Sequence, residues 1–238
     1  MNDRVLLPPR TPATRGEIVA WAMYDWAHSA YSTLLITIVV GYLTQVVLPG
    51  GTGELAYGWG IGVSTLLAAV LSPIIGAIAD ERRNKRTWLA IAAFGGAGSS
   101  LLMAAVPPEF PWAIVALFFM ASVCFEIGWS VSNGFLPELT TEKNIDTVSA
   151  VGFAFGYIGG GLALVVALGV VLAGEKLGLP AGDENLPTRL RIGLAIMGLW
   201  WGGFAIPAIV VLRDRRVSQY EAPQRLMETT KTAIGRVV

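Results

Sequence analysis

Apolar residues run along this chain in long blocks. Six stretches, at about 18–48, 57–79, 87–106, 111–136, 147–173 and 190–212, carry charge almost only at their ends. Each reaches the ~20 residues that a helix needs to cross a hydrocarbon core of ~30 Å. Lipid offers no partner to an open peptide group, so spans of this length form helices. Polar punctuation separates them: "LPGGTGE" after the first, "VPPEFP" after the third, "LPELTTEKNID" after the fourth. The pattern predicts an all-α integral membrane protein with six transmembrane helices in residues 18–212. Residues 1–17 and 213–238 are expected as polar tails.

Composition narrows the class. Apolar residues make up 54% of the chain and charged residues 14%, with a mean hydropathy of +0.59. A soluble domain carries roughly a quarter charged residues. Basic and acidic residues balance at 17 each, so no basic surplus points to nucleic acid. Cys124 and His28 are the sole residues of their types, which excludes an internal disulfide and an ordinary zinc site. Cys124, in an apolar run, reads as a packing residue. No Gly-x-x-x-x-Gly-Lys loop exists to hold a nucleotide, and no cofactor is expected. Pro8, Pro9 and Pro12 among Arg4, Arg10 and Arg15 read as a soluble tail and not as a signal peptide. Trp59, Trp88 and Trp112 lie near span ends, and together with Trp200 and Trp201 they mostly read as interfacial anchors.

Six spans put the N-terminal tail, the "DERRNKR" loop, Lys143 and the C-terminal tail on one side. That side holds 14 basic residues; the other holds Lys176, Arg189 and Arg191, just 3. The positive-inside rule then places both termini in the cytoplasm. No organellar address is readable, so a bacterial plasma membrane is the expected location.

Two acids interrupt the lipid zone. Asp25 lies in the first span and Glu126 in the fourth. An ion at membrane depth costs about 2.5–3.5 kcal/mol on the mildest scale, so such a residue faces a cavity or a partner. Asp25, Ser29 and Ser32 recur at i, i+4 and i+7, with His28 on the flank; Glu126, Trp129, Ser130 and Asn133 form a second stripe. At 1.5 Å per residue both acids lie ~10–15 Å from the cytoplasmic end of their helix. Equal depth suits a shared water-filled cavity; the plainer alternative is that each carboxyl caps a helix or bonds a Trp or Tyr. His28 could exchange protons near its ordinary pKa of ~6.5. The plainer reading is a neutral histidine satisfied by Asp25 or a hydroxyl.

"GAIADERRNKRTWL" resembles the loop between the second and third spans of the major facilitator superfamily. Its signature is a small glycine, an aspartate four residues on, and a basic cluster: here Gly76, Asp80, Arg82, Arg83, Lys85 and Arg86. Glu81 stands where a basic residue is usual, and the second glycine is missing. "WAMYDWAHSAYST" and "NGFLPELTTEKNIDTVSAVGFAFGYIGGGL" narrow the likeness to the autophagy-linked vacuolar amino-acid effluxer family and its bacterial relatives. Those relatives carry an amide where this chain has His28. The resemblance runs from about residue 17 to 213 and covers one six-helix half of that architecture. It implies a second half, either another copy or a separate six-helix unit. It also implies a gating or locking role for Asp80 and its basic neighbours, whose plainer reading is a helix cap with a solvated charge run. "RDRRVSQYEAPQRLMETTKTAIGRVV" resembles the linker between halves. It reads either as an amphipathic surface helix using Leu226, Ile234 and Val237 or as a solvated tail.

Gly152, Gly156 and Gly160 repeat every four residues in the fifth span, and Gly58 and Gly62 share that spacing in the second. Such ridges let helices approach closely in lipid. In the family the halves meet along these two helices, so the ridge is expected either to seat a second half or to pack within its own unit. Two functions follow: half of a secondary transporter for a small polar solute and a proton, by resemblance an amino-acid carrier, or a non-transporting membrane scaffold. An intramembrane hydrolase lacks a nucleophile and base at any recognised spacing.

Overall fold

The computed structural model describes residues 13–141, 143–179 and 182–214. Six helices are long and apolar enough to cross a membrane. They are α1 (Arg15–Val47), α2 (Thr52–Arg82), α3 (Lys85–Ala105), α4 (Pro111–Asn133), α5 (Ile145–Ala173) and α6 (Leu186–Val211). No strand occurs among the described residues. The expected linker helix and most of the N-terminal tail lie outside them.

Local chemistry sets the helix ends. Thr14 caps α1 through a capping box: Glu17 N–H donates to Thr14 Oγ1 at 3.2 Å, and Thr14 N–H donates to Glu17 Oε2 at 2.8 Å. The end of α1 contains two π-helical turns, Leu35–Val39 and Leu43–Val47. Gly50 and Gly51 then take φ of +81° and +90° in the turn to α2, a region costly to residues with a side chain. At the far end of α2 the left-handed cap is Arg83, φ +55°, where glycine is usual. Pro111 opens α4 at a position where its missing N–H costs nothing. After Asn133 the chain makes a one-turn helix, Leu136–Leu139.

The helices pack as a series, α5–α1–α6–α3–α4–α2, in which each touches its neighbours extensively. α5 also reaches α6, while α2 and α3, adjacent in sequence, barely meet. In the most apolar stretch of α2 17% of the residues are consequently buried, against 50% in that of α1. Leu55, Trp59, Val63, Leu66 and Val70 line its exposed side, a surface suited to hydrocarbon and not to water. Pro73 and Pro207 sit inside α2 and α6, as membrane helices tolerate.

α1 and α4 are joined mainly by side chains. Tyr31 donates to Ser122 Oγ at 2.7 Å, because the one Ser122 proton goes to the Phe118 carbonyl at 3.0 Å. Trp201 fills the centre of the bundle with no exposure. It is a core residue and not an interfacial anchor. Its indole lies so close to Gly96 that a Cβ there would enter the ring. Trp59 and Trp112 are exposed, whereas Trp200 stacks on Trp26 at 6.1 Å.

Candidate functional site

The α1 polar stripe and the α5 glycine ridge pack on each other. A Cβ on Gly156 would lie 2.6 Å from Asp25 Oδ2 and 2.8 Å from Ser29 Oγ; one on Gly160 would lie 2.9 Å from the Ser29 carbonyl. Thr33 Oγ1 crosses the same contact to donate to the Gly160 carbonyl at 3.1 Å, and Gly152 abuts the Trp21 ring. The ridge of Gly152, Gly156 and Gly160 is therefore a packing surface inside the unit and is not free to seat a second half. Gly58, Gly62 and Gly161, by contrast, have no atom within 4 Å of an added Cβ.

Beside this contact, α1, α4 and α5 enclose a cleft. Its lining is Trp21, Tyr24 and Asp25 from α1, Trp129, Ser132 and Asn133 from α4, and Ser149 and Phe153 from α5. Two bonds fix the walls. Trp21 Nε1 donates to the Ser132 carbonyl at 2.9 Å, and Asn133 Nδ2 donates to the Trp129 carbonyl at 3.0 Å. Among the described residues nothing hydrogen-bonds or ion-pairs with the Asp25 carboxylate.

Of the eight residues expected along a pathway, Asp25, Trp129 and Asn133 come together here. Ser29 faces the α5 glycines, and Ser32 bonds locally, its Oγ donating to the Ser29 carbonyl at 3.0 Å. Ser130 is half-buried outside the lining; its neighbour Ser132 is the serine in the cleft. Glu126 is outside it too, and accepts from Thr65 Oγ1 of α2 at 3.1 Å. The two acids thus do not share this cleft. Ser132, Ser149 and Phe153 were not singled out from the sequence. Ser149 and Phe153 lie on α5, whose glycines dominate its pattern.

His28 is buried. Its Nε2 lies 2.7 Å from the Phe125 carbonyl, which can only accept, so that nitrogen carries a proton. The ring stacks on Phe125 with centroids 4.0 Å apart and lies 5.8 Å from Trp129. Its partner is backbone of α4, in place of the expected Asp25 or hydroxyl.

The loop between α2 and α3 builds a second charged site. Lys85, buried, pairs with Asp80 and with Glu138 Oε1 at 2.6 Å, and donates to the Gly134 carbonyl at 3.1 Å. These bonds tie the ends of α2 and α3 to the segment after α4. Arg86 joins only through its backbone N–H, 3.4 Å from Asp214 Oδ1. Burial pushes the Asp214 carboxyl above its ordinary pKa, with the Arg86 and Lys85 backbone groups opposing. Arg82 and Arg83 are exposed, and Gly76 packs against nothing within 4 Å. Glu138 was missed as a partner, although it sits in the quoted "LPEL".

Six membrane-length helices, with Asp25 in a cleft between three of them, make this a multi-pass membrane protein. The family of the vacuole effluxer Atg22 like proteins matches residues 58–238, and the chain belongs to that family. Over 205 residues it is 33% identical to the Bacillus subtilis (strain 168) protein named uncharacterized MFS-type transporter YxiO, covering 82% of this chain and 46% of that one. Over 214 residues it is 22% identical to autophagy-related protein 22-1 of Aspergillus terreus (strain NIH 2624 / FGSC A1156), covering 64% of this chain and 35% of that one. The chain thus spans less than half the length of these curated relatives. No solved structure matches significantly.

Proposed function

We propose that this chain is one half of a secondary transporter of the major facilitator type. It moves a small polar solute, an amino acid in the first instance, by alternating access against a second six-helix half. The observation that carries this reading is Asp25: an acid at membrane depth, in a cleft, with no protein partner among the described residues. Such a residue is costly and is retained where a solute or proton passes. The names of the relatives support the same class. Proton coupling runs through Asp25, with Glu126 as a second acid at the contact of α4 with α2. The Lys85 cluster acts as a lock on the cytoplasmic side, opening as the ends of α2, α3 and α4 separate. Both termini face the cytoplasm of a bacterial cell, and the partner half is a second copy or a separate six-helix unit.

The rival reading is a non-transporting scaffold, favoured by the open face of Gly58 and Gly62 on α2. Amino-acid uptake into proteoliposomes, with and without a pH gradient, separates the two. Gradient-stimulated accumulation is expected; a preparation that binds its partner half and moves nothing supports the scaffold. Orientation is tested in a Cys124→Ala background. Thr52→Cys and Glu184→Cys should react with an impermeant thiol reagent from outside the cell, and Thr141→Cys should not.

A further inference from the structure

In helices a serine or threonine hydroxyl commonly donates to a carbonyl one turn back, and this protein follows that habit. Ser32, Thr37, Thr44, Ser64, Ser100 and Ser122 each donate to a carbonyl of the helix they stand on. Thr65 does not. Its hydroxyl crosses from α2 to α4 and donates to Glu126 Oε1 at 3.1 Å. Neither side chain has another hydrogen-bond or ion-pair partner among the described residues. Thr65 is exposed and Glu126 half-buried, so the bond lies at the open edge of the α2–α4 seam and not in the core.

α2 is the least buried of the six spans and barely meets α3. Tyr57 near its start stacks on Phe118, and Asp80 at its end reaches the Lys85 cluster. Between these, the Thr65 hydroxyl makes the only hydrogen bond from an α2 side chain to another helix among the described residues. Other groups that could answer the Glu126 charge are engaged elsewhere or missing. Tyr31 of α1 is bonded to Ser122, one turn before Glu126, and His28 to the Phe125 carbonyl. Cys124 of α4 lies against Gly95 of α3, and α3 carries no ionisable residue after Arg86.

An ionised carboxylate can only accept, and a bond to a charged acceptor is about twice as strong as one between neutral groups. The tie of α2 to α4 is therefore strong while Glu126 carries its charge and weak once it holds a proton. Linkage makes this reciprocal: opening the seam changes proton binding by the same factor that proton binding changes the seam.

We propose that Thr65 is the positioning residue of the second acid: by donating to Glu126 it couples proton binding on α4 to the opening of the α2–α4 seam. The transport reading supplies what the movement of α2 accomplishes; the coupling is tested without a solute.

The test is a distance. Nitroxide labels at Trp59→Cys and Trp112→Cys, both exposed near the starts of α2 and α4, are placed in a Cys124→Ala background of the full chain in lipid nanodiscs. Double electron–electron resonance is recorded at alkaline and at acid pH. One short distance is expected at alkaline pH, with a longer one growing on acidification. Thr65→Val keeps the side-chain shape and loses the donor. It should favour the long distance at both pH values, lowering the short-to-long ratio at alkaline pH roughly ten-fold or more, the size of a hydrogen bond to a charged group. Thr65→Ser should behave as the unmodified chain, and so should Glu54→Gln, which removes another acid of α2. Unmodified pH dependence in Thr65→Val overturns the proposal, as does an unmodified chain whose distance ignores pH. Should Thr65→Val not fold, Glu126→Gln decides in its place, and pH dependence retained there overturns the proposal. A pH-driven distance in an assembly that takes up no amino acid removes the transport reading and keeps this one; gradient-driven uptake without a pH-driven distance does the reverse.

Discussion

Lys85 and Asp25 are both charges set into a helical bundle, and the protein treats them in opposite ways. Lys85 has Asp80, Glu138 and the Gly134 carbonyl; every direction an ammonium donates in is answered. Asp25 has glycine on one side, rings around it, and no partner among the described residues. A satisfied buried charge holds its neighbours in register, and removing either partner leaves the other stranded. An unsatisfied one is free to exchange its counter-ion, which a transporter must do once per cycle. On the proposed transport reading, Lys85 is the architectural and gating group and Asp25 the group that meets the solute.

The largest effect that could break this contrast is expected at Lys85. Lys85→Ala takes the ammonium away from both Asp80 and buried Glu138 and should cost about 3–5 kcal/mol of stability, seen as loss of folded protein on heating in detergent. Lys85→Met with Glu138→Leu should cost less than the sum of the single changes, because contacting partners couple. Additive losses would mean that the pair is not a unit. Next comes the α1–α5 seat beside Asp25. Gly160→Leu drives a side chain toward the Ser29 carbonyl and should cost about 1–3 kcal/mol or more as overpacking. The six-helix unit itself should lose thermal stability, whether or not it is paired with another half. Destabilisation confined to an oligomer would return the ridge to an interface role. The smallest effect on stability is expected at Asp25 itself. Asp25→Asn removes an unpaired charge and should leave the melting temperature unchanged or raise it slightly, since no partner is stranded. A loss as large as that of Lys85→Ala would reveal a structural partner and erase the distinction.

The sequence made some of this legible and hid the rest for physical reasons. Six spans follow from length and apolarity, because lipid leaves a helix as the one solution. Asp25 stood out because an acid in such a span is rare and costly. Which helix the Asp25 stripe faces is a matter of bundle order, and periodicity along one helix does not contain it. The stripe and the glycine ridge were read as separate features, yet they are the two sides of one contact. Glu126 matched Asp25 in depth and not in direction, since α4 turns it toward Thr65 of α2. His28 was read as a neighbour of Asp25 in sequence; one residue is 100° around a helix, so three residues on, its ring points to Phe125 instead. Trp201 was read as an interfacial anchor although it stands in the middle of the 190–212 run, and Gly96 opposite it makes room for an indole in the core. The motif loop named six residues, and burial selects Lys85 with exposed Asp80 as its mate, plus Glu138 from another segment.

The central claim is that the unpaired acid, and not the paired base, carries solute and proton. Its most direct test is transport by Asp25→Asn in proteoliposomes that contain the complete assembly, with an amino acid as solute. Exchange of labelled for unlabelled solute is compared with accumulation driven by an imposed pH gradient. The account requires gradient-driven accumulation to vanish while exchange of labelled solute persists. Accumulation equal to that of the unmodified protein would contradict it and make Asp25 a structural residue.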